Sequence, residues 1–204
     1  AIQESRDRAR LGITFLWFGF VISALIITNP PNSDGYRHYL FMFPPVFIFA
    51  GFAINEILNR IQHNGIKATV VFALLLPAII ANVTLHPYQY AYYNTFTGGT
   101  DKAFRQYETD YWLTCYREAV LEFEKEAPQG SQLFVKRESY IAEYYASSNI
   151  TIRDYRTELK DIQPGDFVLI NTRTNDDEKI LKDAPIFMDV RRGNAIFCVI
   201  KQAQ

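Results

Sequence analysis

Cysteine, methionine and tryptophan occur only twice each in the 204 residues, and all three histidines precede residue 87. Two cysteines are too few for a disulfide-rich scaffold or a four-cysteine zinc site, and no CxxC pair occurs. A glycine-rich phosphate loop, an HExxH pair and a GxSxG turn are also missing, so the signatures of nucleotide, zinc-protease and serine-hydrolase chemistry are absent. Charge of one sign is lacking as well: 21 Lys and Arg face 22 Asp and Glu, for a formal net charge of -1. Nothing in that balance suggests a nucleic-acid partner, and there is no acidic tail. No internal repeat or low-complexity linker interrupts the chain.

What the chain does have is long apolar runs. The mean hydropathy of -0.09 is that of an ordinary soluble protein, but the average hides two unlike halves. Apolar residues concentrate before residue 87 and charged ones after residue 100. Leu11 to Thr28 and Tyr39 to Ile54 carry no charge, and Ile66 to Leu85 carries only Lys67 at its edge. A helix needs about 20 apolar residues, and no fewer than about 17, to cross the hydrocarbon core. The runs therefore predict three transmembrane helices at about 11–28, 39–57 and 66–85, the second reaching full length with Glu56 at the interface. Buried helices of a soluble core would show a polar residue every third or fourth position, and these do not. A cleaved signal peptide fits poorly, because there are three segments and no small-residue cleavage site follows the first.

Orientation follows from the short loops. Arg6, Arg8 and Arg10 precede the first span and Arg60 and Lys67 flank the second link, whereas the first link holds only Arg37. The positive-inside tendency puts the N-terminus and the 55–66 link in the cytoplasm. Three crossings then leave everything after Pro87 outside.

The predicted organisation is a transmembrane region at 1–87, an aromatic juxtamembrane junction and helix at 88–127, and a small extracytoplasmic α/β domain at 128–204. Apolar residues recur at helical spacing from about Tyr111 to Phe123, and Pro128-Gln129-Gly130 ends that helix. QLFVK, NITIRDY, DFVLINT, PIFMDV and AIFCVIK read as strands, with Arg191-Arg192-Gly193-Asn194 turning the last hairpin. SYIAEYYASS and DDEKILKD read as helices, and the alternation suggests a partly parallel sheet. Cys115 and Cys198 fit either a disulfide or two buried thiols. Asn82-Val83-Thr84 and Asn149-Ile150-Thr151 match the glycosylation acceptor pattern, which matters only in a eukaryotic secretory compartment.

The stretch NSDGYRHYLFMFPP, residues 32–45, sets Asp34, Tyr36, Arg37 and His38 directly against an apolar run. On the predicted topology they lie at the outer membrane surface. There Arg37 can hold a lipid-linked phosphate through charge-assisted hydrogen bonds, and His38 can add a donor or a proton. Snorkelling interfacial anchors would look the same by spacing. Pro44-Pro45 is expected to break the following helix near its start, where freed backbone groups need a protein-lined cavity.

GYRHYLFMFPP, then HPYQYAYYNTFTGG after another span, then ETDYWLTCYREA resemble the C-terminal part of the polytopic, polyprenyl-phosphate-sugar-dependent glycosyltransferases. These are the GT-C-type enzymes related to protein O-mannosyltransferases and aminoarabinose transferases. The resemblance covers residues 34–119 and fades beyond Glu126. It implies an integral membrane enzyme that moves a sugar from a lipid phosphate to an acceptor on the outer or lumenal face. Arg37 and His38, with Tyr36, match the phosphate-holding role, and Asp34 supports Arg37 by pairing with it. The family's catalytic acid maps onto no residue here. Beginning at Ala1 with three spans, the chain reads as a C-terminal fragment, incomplete as a catalyst. Any divalent metal would be held by the missing N-terminal part. At the junction, Tyr88, Tyr93, Asn94, Glu108, Asp110 and Trp112 read as a folded closure over the catalytic cavity, Glu108 and Asp110 with an acceptor-side or a structural role. Interfacial preference alone accounts for the tyrosines. The alternative function is a non-enzymatic membrane-anchored module that binds a protein or glycan.

Overall fold

A computed structural model describes the backbone of residues 2–30 and 35–204, and the side chains of residues 8–30 and 38–204. The chain divides into two compact units, Ala1–Leu74 and Leu75–Gln204.

The first unit is helical: α1 (Ile2–Thr28), a 3-10 segment (Gly35–Met42), α2 (Phe43–Asn59) and the first half of α3 (Asn64–Thr84), with α1 packed on α2. Residues 8–28, 38–59 and 64–84 form three helical stretches long and apolar enough to cross a membrane. No residue of α3 is buried, and large apolar side chains such as Phe20, Ile27 and Phe47 stand open. Several polar side chains on these helices bond back onto their own backbones. Thr14 Oγ1 donates to Arg10 O, Thr28 Oγ1 to Ala24 O and Asn82 Nδ2 to Ala78 O, which hides each polar group without a partner helix.

Pro44-Pro45 does not break α2; it begins it. The prolines fall in the first turn, where the missing N–H would have had no intrahelical acceptor and the fixed φ suits the helix. The irregularity lies before them, at Tyr39, where two helical turns meet across a kink.

The second unit is built on a five-stranded mixed sheet. Its strands are β1 (Ser131–Val135), β2 (Ile150–Asp154), β3 (Phe167–Asn171), β4 (Ile186–Arg192) and β5 (Ala195–Gln202), in the order β2-β1-β3-β5-β4. β1 pairs in parallel with β2 and β3, and β5 runs antiparallel to β3 and β4. Every residue of β3 is buried, as its unbroken run FVLIN requires of a central strand covered on both faces. One face packs against α5 (Cys115–Glu126) and α6 (Ser139–Tyr145), around Phe123, Leu133, Leu169 and Phe197. The other is a smaller cluster of Phe134, Val168, Ile170 and Val199, covered by Tyr155, Ile162 and Leu181. Two shorter helices, α4 (Gly99–Ala103) and α7 (Tyr155–Glu158), complete the unit.

Two local expectations are corrected. DDEKILKD forms only a 3-10 turn at Asp176–Glu178 followed by irregular turns. The reason is Lys201, almost fully buried on β5, whose Nζ donates to the carbonyls of Asp177 (2.7 Å), Ile180 (3.2 Å) and Leu181 (3.0 Å). Carbonyls satisfied by an ammonium have no need of further helical turns, and the positive φ of Leu181 stops the helix outright. The last hairpin turns at Gly193-Asn194 alone, Arg191 and Arg192 belonging to β4. Asp101 accepts from Asn194 N and Nδ2 (3.0 and 3.2 Å), and a Cβ on Gly193 would lie 2.6 Å from Asp101 Oδ1.

Candidate functional site: the junction below the sheet

The phosphate-binding candidates fall at the edge of what is described. Asp34 lies outside the described residues, as do the side chains of Tyr36 and Arg37; the backbone of both is on the 3-10 segment entering α2. His38 follows them with an exposed side chain.

The junction candidates are fully described, and most of them converge. After α3 the chain turns through a cis His86–Pro87 peptide and buries Tyr88 against Phe197, ring centroids 4.6 Å apart. Tyr88 Oη donates to Glu118 Oε2 (2.9 Å). Arg192 grips the same carboxylate with both Nη atoms (3.1 and 2.8 Å), donates through Nε to His86 O (2.8 Å), and lies over the Tyr88 ring. The Arg192 guanidinium holds the Glu118 carboxyl below its ordinary value, against the opposing effect of burial. Burial and the bond to Glu118 push the Tyr88 phenol far upward, so it remains a donor. Glu118 thus locks the exit of α3 to α5 and β4.

Asp110 is fully buried. Its Oδ1 accepts from Thr114 N (3.1 Å) and Oγ1 (2.9 Å), and its Oδ2 from Cys115 N (3.1 Å) and Asn171 Nδ2 (3.1 Å). It therefore satisfies amides that open α5, which have no intrahelical acceptor. Burial raises its carboxyl above the ordinary value, and these bonds pull it back. Asn171, at the end of β3, also donates to Asp110 O (3.2 Å) and Phe197 O (3.3 Å). Beside it Cys115 and Cys198 form a disulfide, Cα atoms 6.0 Å apart, joining α5 to β5. The ligand atoms of Asp110, Cys115 and Cys198 lie within 4.8 Å of one another, but with both sulfurs in the disulfide only one carboxylate remains to ligate a metal.

Glu108 accepts from Arg173 Nε (3.0 Å), and the Arg173 guanidinium stacks 3.6 Å over the Tyr111 ring. Tyr93 Oη donates to Glu108 O (2.8 Å) while its ring stacks on Tyr107. Asn94 caps the turn Thr95–Thr97, its Oδ1 accepting from Thr97 N (3.1 Å). Trp112 stands half-exposed, edge-on to Tyr111. Arg105 adds a bidentate pair with Asp177 (2.7 and 2.6 Å).

These contacts share one destination. β1 connects to β2 across one face through α6 and β2 to β3 across the other through α7, so the strand order reverses at β1 and β3. In open sheets of this winding, the space beyond the carboxyl ends at that point is the usual ligand crevice. Here Arg105, Glu108 and Asp110 reach residues at or beyond the end of β3, namely Asp177, Arg173 and Asn171, so the chain's own junction occupies its β3 side. The junction acids Glu108, Asp110 and Glu118 are each bonded within the domain. Asn171, Arg173 and Arg192 carried no distinguishing signal in the sequence, where Asn171 read as a strand residue, Arg192 as a turn residue and Arg173 as neither.

Comparison with family models, with curated proteins and with solved structures gave no match to this chain.

Proposed function

We propose that this chain is the C-terminal part of an integral membrane glycosyltransferase, which moves a sugar from a polyprenyl-phosphate carrier to an acceptor on the extracytoplasmic face. The observation carrying this reading is the order and position of three blocks. GYRHYLFMFPP enters α2, HPYQYAYYNTFTGG leaves α3, and ETDYWLTCYREA forms the junction and the start of α5. The second and third blocks bind each other, through Tyr93 and Glu108 and through Tyr88 and Glu118. The disulfide supports an external C-terminal domain, since such bonds persist in oxidising compartments.

In this reading Arg37 and His38, with Tyr36, hold the donor phosphate and Asp34 orients Arg37. As the bond from sugar to phosphate oxygen breaks, negative charge grows on the departing lipid phosphate, and a fixed cation beside it lowers the barrier. The catalytic acid, and any metal, would come from the part of the enzyme that precedes these spans. The C-terminal domain shapes acceptor access.

One observation favours the anchored binding module instead: Glu108 and Asp110 are both committed to structural bonds. A binding measurement separates the two. With the chain in nanodiscs, Arg37→Ala and His38→Ala should each weaken capture of a short-chain polyprenyl phosphate about tenfold, the value of one charge-assisted hydrogen bond, with the unfolding midpoint unchanged. Unaltered affinity would sink the transferase reading and leave the anchor.

A further inference from the structure

Phe96 is 99% exposed, the most exposed large apolar side chain among the described residues. It stands at the tip of a well-bonded turn. Asn94 O accepts from Thr97 Oγ1 (2.8 Å) and Gly99 N (2.9 Å), in addition to the Asn94 cap on Thr97 N. Gly98 and Gly99 take positive φ, and a Cβ on Gly98 would come 2.3 Å from Lys102 Cδ, so this geometry depends on glycine at that position. A single exposed phenylalanine is ordinary, but Phe96 shares its segment of the chain with exposed Tyr90 and Tyr92, and together they form an apolar patch.

The surroundings say what covers it. Residues 68–100 contain no Asp, Glu, Lys or Arg, so the charge-free run of α3 continues through the turn and ends at Asp101. The junction also folds back beside the helix. Gln89 Nε2 donates to Asn82 O (3.2 Å), and Tyr92 lines an open cavity of about 120 Å³ with Ala78, Ala81, Asn82 and Gln89. Tyr92 therefore lies level with the last two turns of α3, four residues before Phe96. Tyr88 and Ala91 face the domain core, whereas Tyr90 and Tyr92 are left exposed. Exposed tyrosines beside the end of an apolar helix are the side chains that a membrane interface holds, with rings in the headgroup layer and hydroxyls in water.

We propose that the Phe96 turn is a wedge seated in the lipid interface beside the exit of α3, pinning the C-terminal domain to the bilayer surface. The partner is lipid, and the inference rests on reading α3 as a membrane span. The Tyr88–Glu118–Arg192 lock then fixes the domain to the same exit, so wedge and lock together would set the height of the sheet above the membrane.

The test places a polarity-sensitive nitrobenzoxadiazole probe on a new thiol in the full chain, reconstituted in vesicles of phosphatidylcholine and phosphatidylglycerol. The native cysteines are paired, so only the new thiol reacts. Thr95→Cys keeps Phe96 in place, Leu75→Cys reports on α3, and Tyr144→Cys reports on an exposed site of α6. The expected result is blue-shifted emission at residue 95, shielding from iodide and quenching by lipids spin-labelled near the headgroup, reduced toward the residue 144 level by Phe96→Ser. Iodide access at residue 95 equal to that at residue 144 would overturn the wedge, with lipid quenching at residue 75 preserving the span. Shielding from iodide without lipid quenching would assign the cover to protein and overturn it too. No quenching at residue 75 by lipids spin-labelled deep in the acyl chain would remove the span and the wedge together.

Discussion

Glu118 makes a residue-scale argument with a measurable pH dependence. Its carboxylate accepts from Tyr88 and from both Nη atoms of Arg192, and that arginine holds its pKa below the ordinary 4.5. A carboxyl whose folded pKa is depressed contributes stability that is complete above the unfolded value and is lost as pH falls through the folded one. The attachment of Tyr88 to α5 and β4 should therefore loosen as pH drops below 4.5. Pulse proteolysis of the chain in nanodiscs across pH 3 to 6 should show an acid-labile cleavage near residue 88. Glu118→Gln should be labile at every pH and lose most of the acid step; an unchanged acid step would mean that another carboxylate controls it. Neighbouring polar contacts obey the same local logic, Asp110 taking the amides that open α5 and Asn171 taking Asp110.

At the scale of elements, α5 is tied to the sheet by packing of Phe123 and Val120 and by the Cys115–Cys198 disulfide. The bond closes a loop of 83 residues in sequence separation, and loop-closure entropy assigns such a crosslink about 4.5 kcal/mol. Cys115→Ser should lower the denaturant midpoint of the C-terminal domain by the equivalent of several kcal/mol, and reductant should do the same to the native chain. No shift in either would show that the unfolded chain is restricted by other means. Elements were unequally legible in the sequence. The five strands stood out because β-branched and aromatic runs were separated by turn residues, and α6 was placed correctly. α5 was expected from about Tyr111 but begins at Cys115, because the positive φ of Leu113 and the Asp110 cap delay it. The failed helix at DDEKILKD was hidden for a different reason: Lys201, which takes its carbonyls, lies about 20 residues away on another element.

For the whole molecule, three long apolar helices precede a domain with its own core and a disulfide. Such a chain should pass through an oxidising compartment. Alkylation after denaturation of protein taken directly from membranes should label no thiol without reductant and two with it. Two labels without reductant would place the domain on the reducing side and reverse the proposed orientation. The candidate site was only half legible at this scale. Glu108, Asp110, Tyr88 and Tyr93 could be singled out as a folded junction, but the partners Arg173, Asn171, Glu118 and Arg192 lie 30 to 104 residues from the junction residues they meet, beyond any local pattern.

The sequence by itself determined the presence of three long apolar helices, the division into an apolar and a polar half and the strand composition of the second half. Each of these depends on hydrophobicity and backbone preference, which act over a few neighbouring residues. Only the tertiary structure decided that the cysteines pair, which groups Asp110 and Glu108 bond, that the junction occupies part of the crevice beside β3, and that Phe96 is left bare. Those outcomes depend on which distant groups meet, and a buried carboxylate or an exposed ring takes its role from neighbours that the chain brings together only on folding.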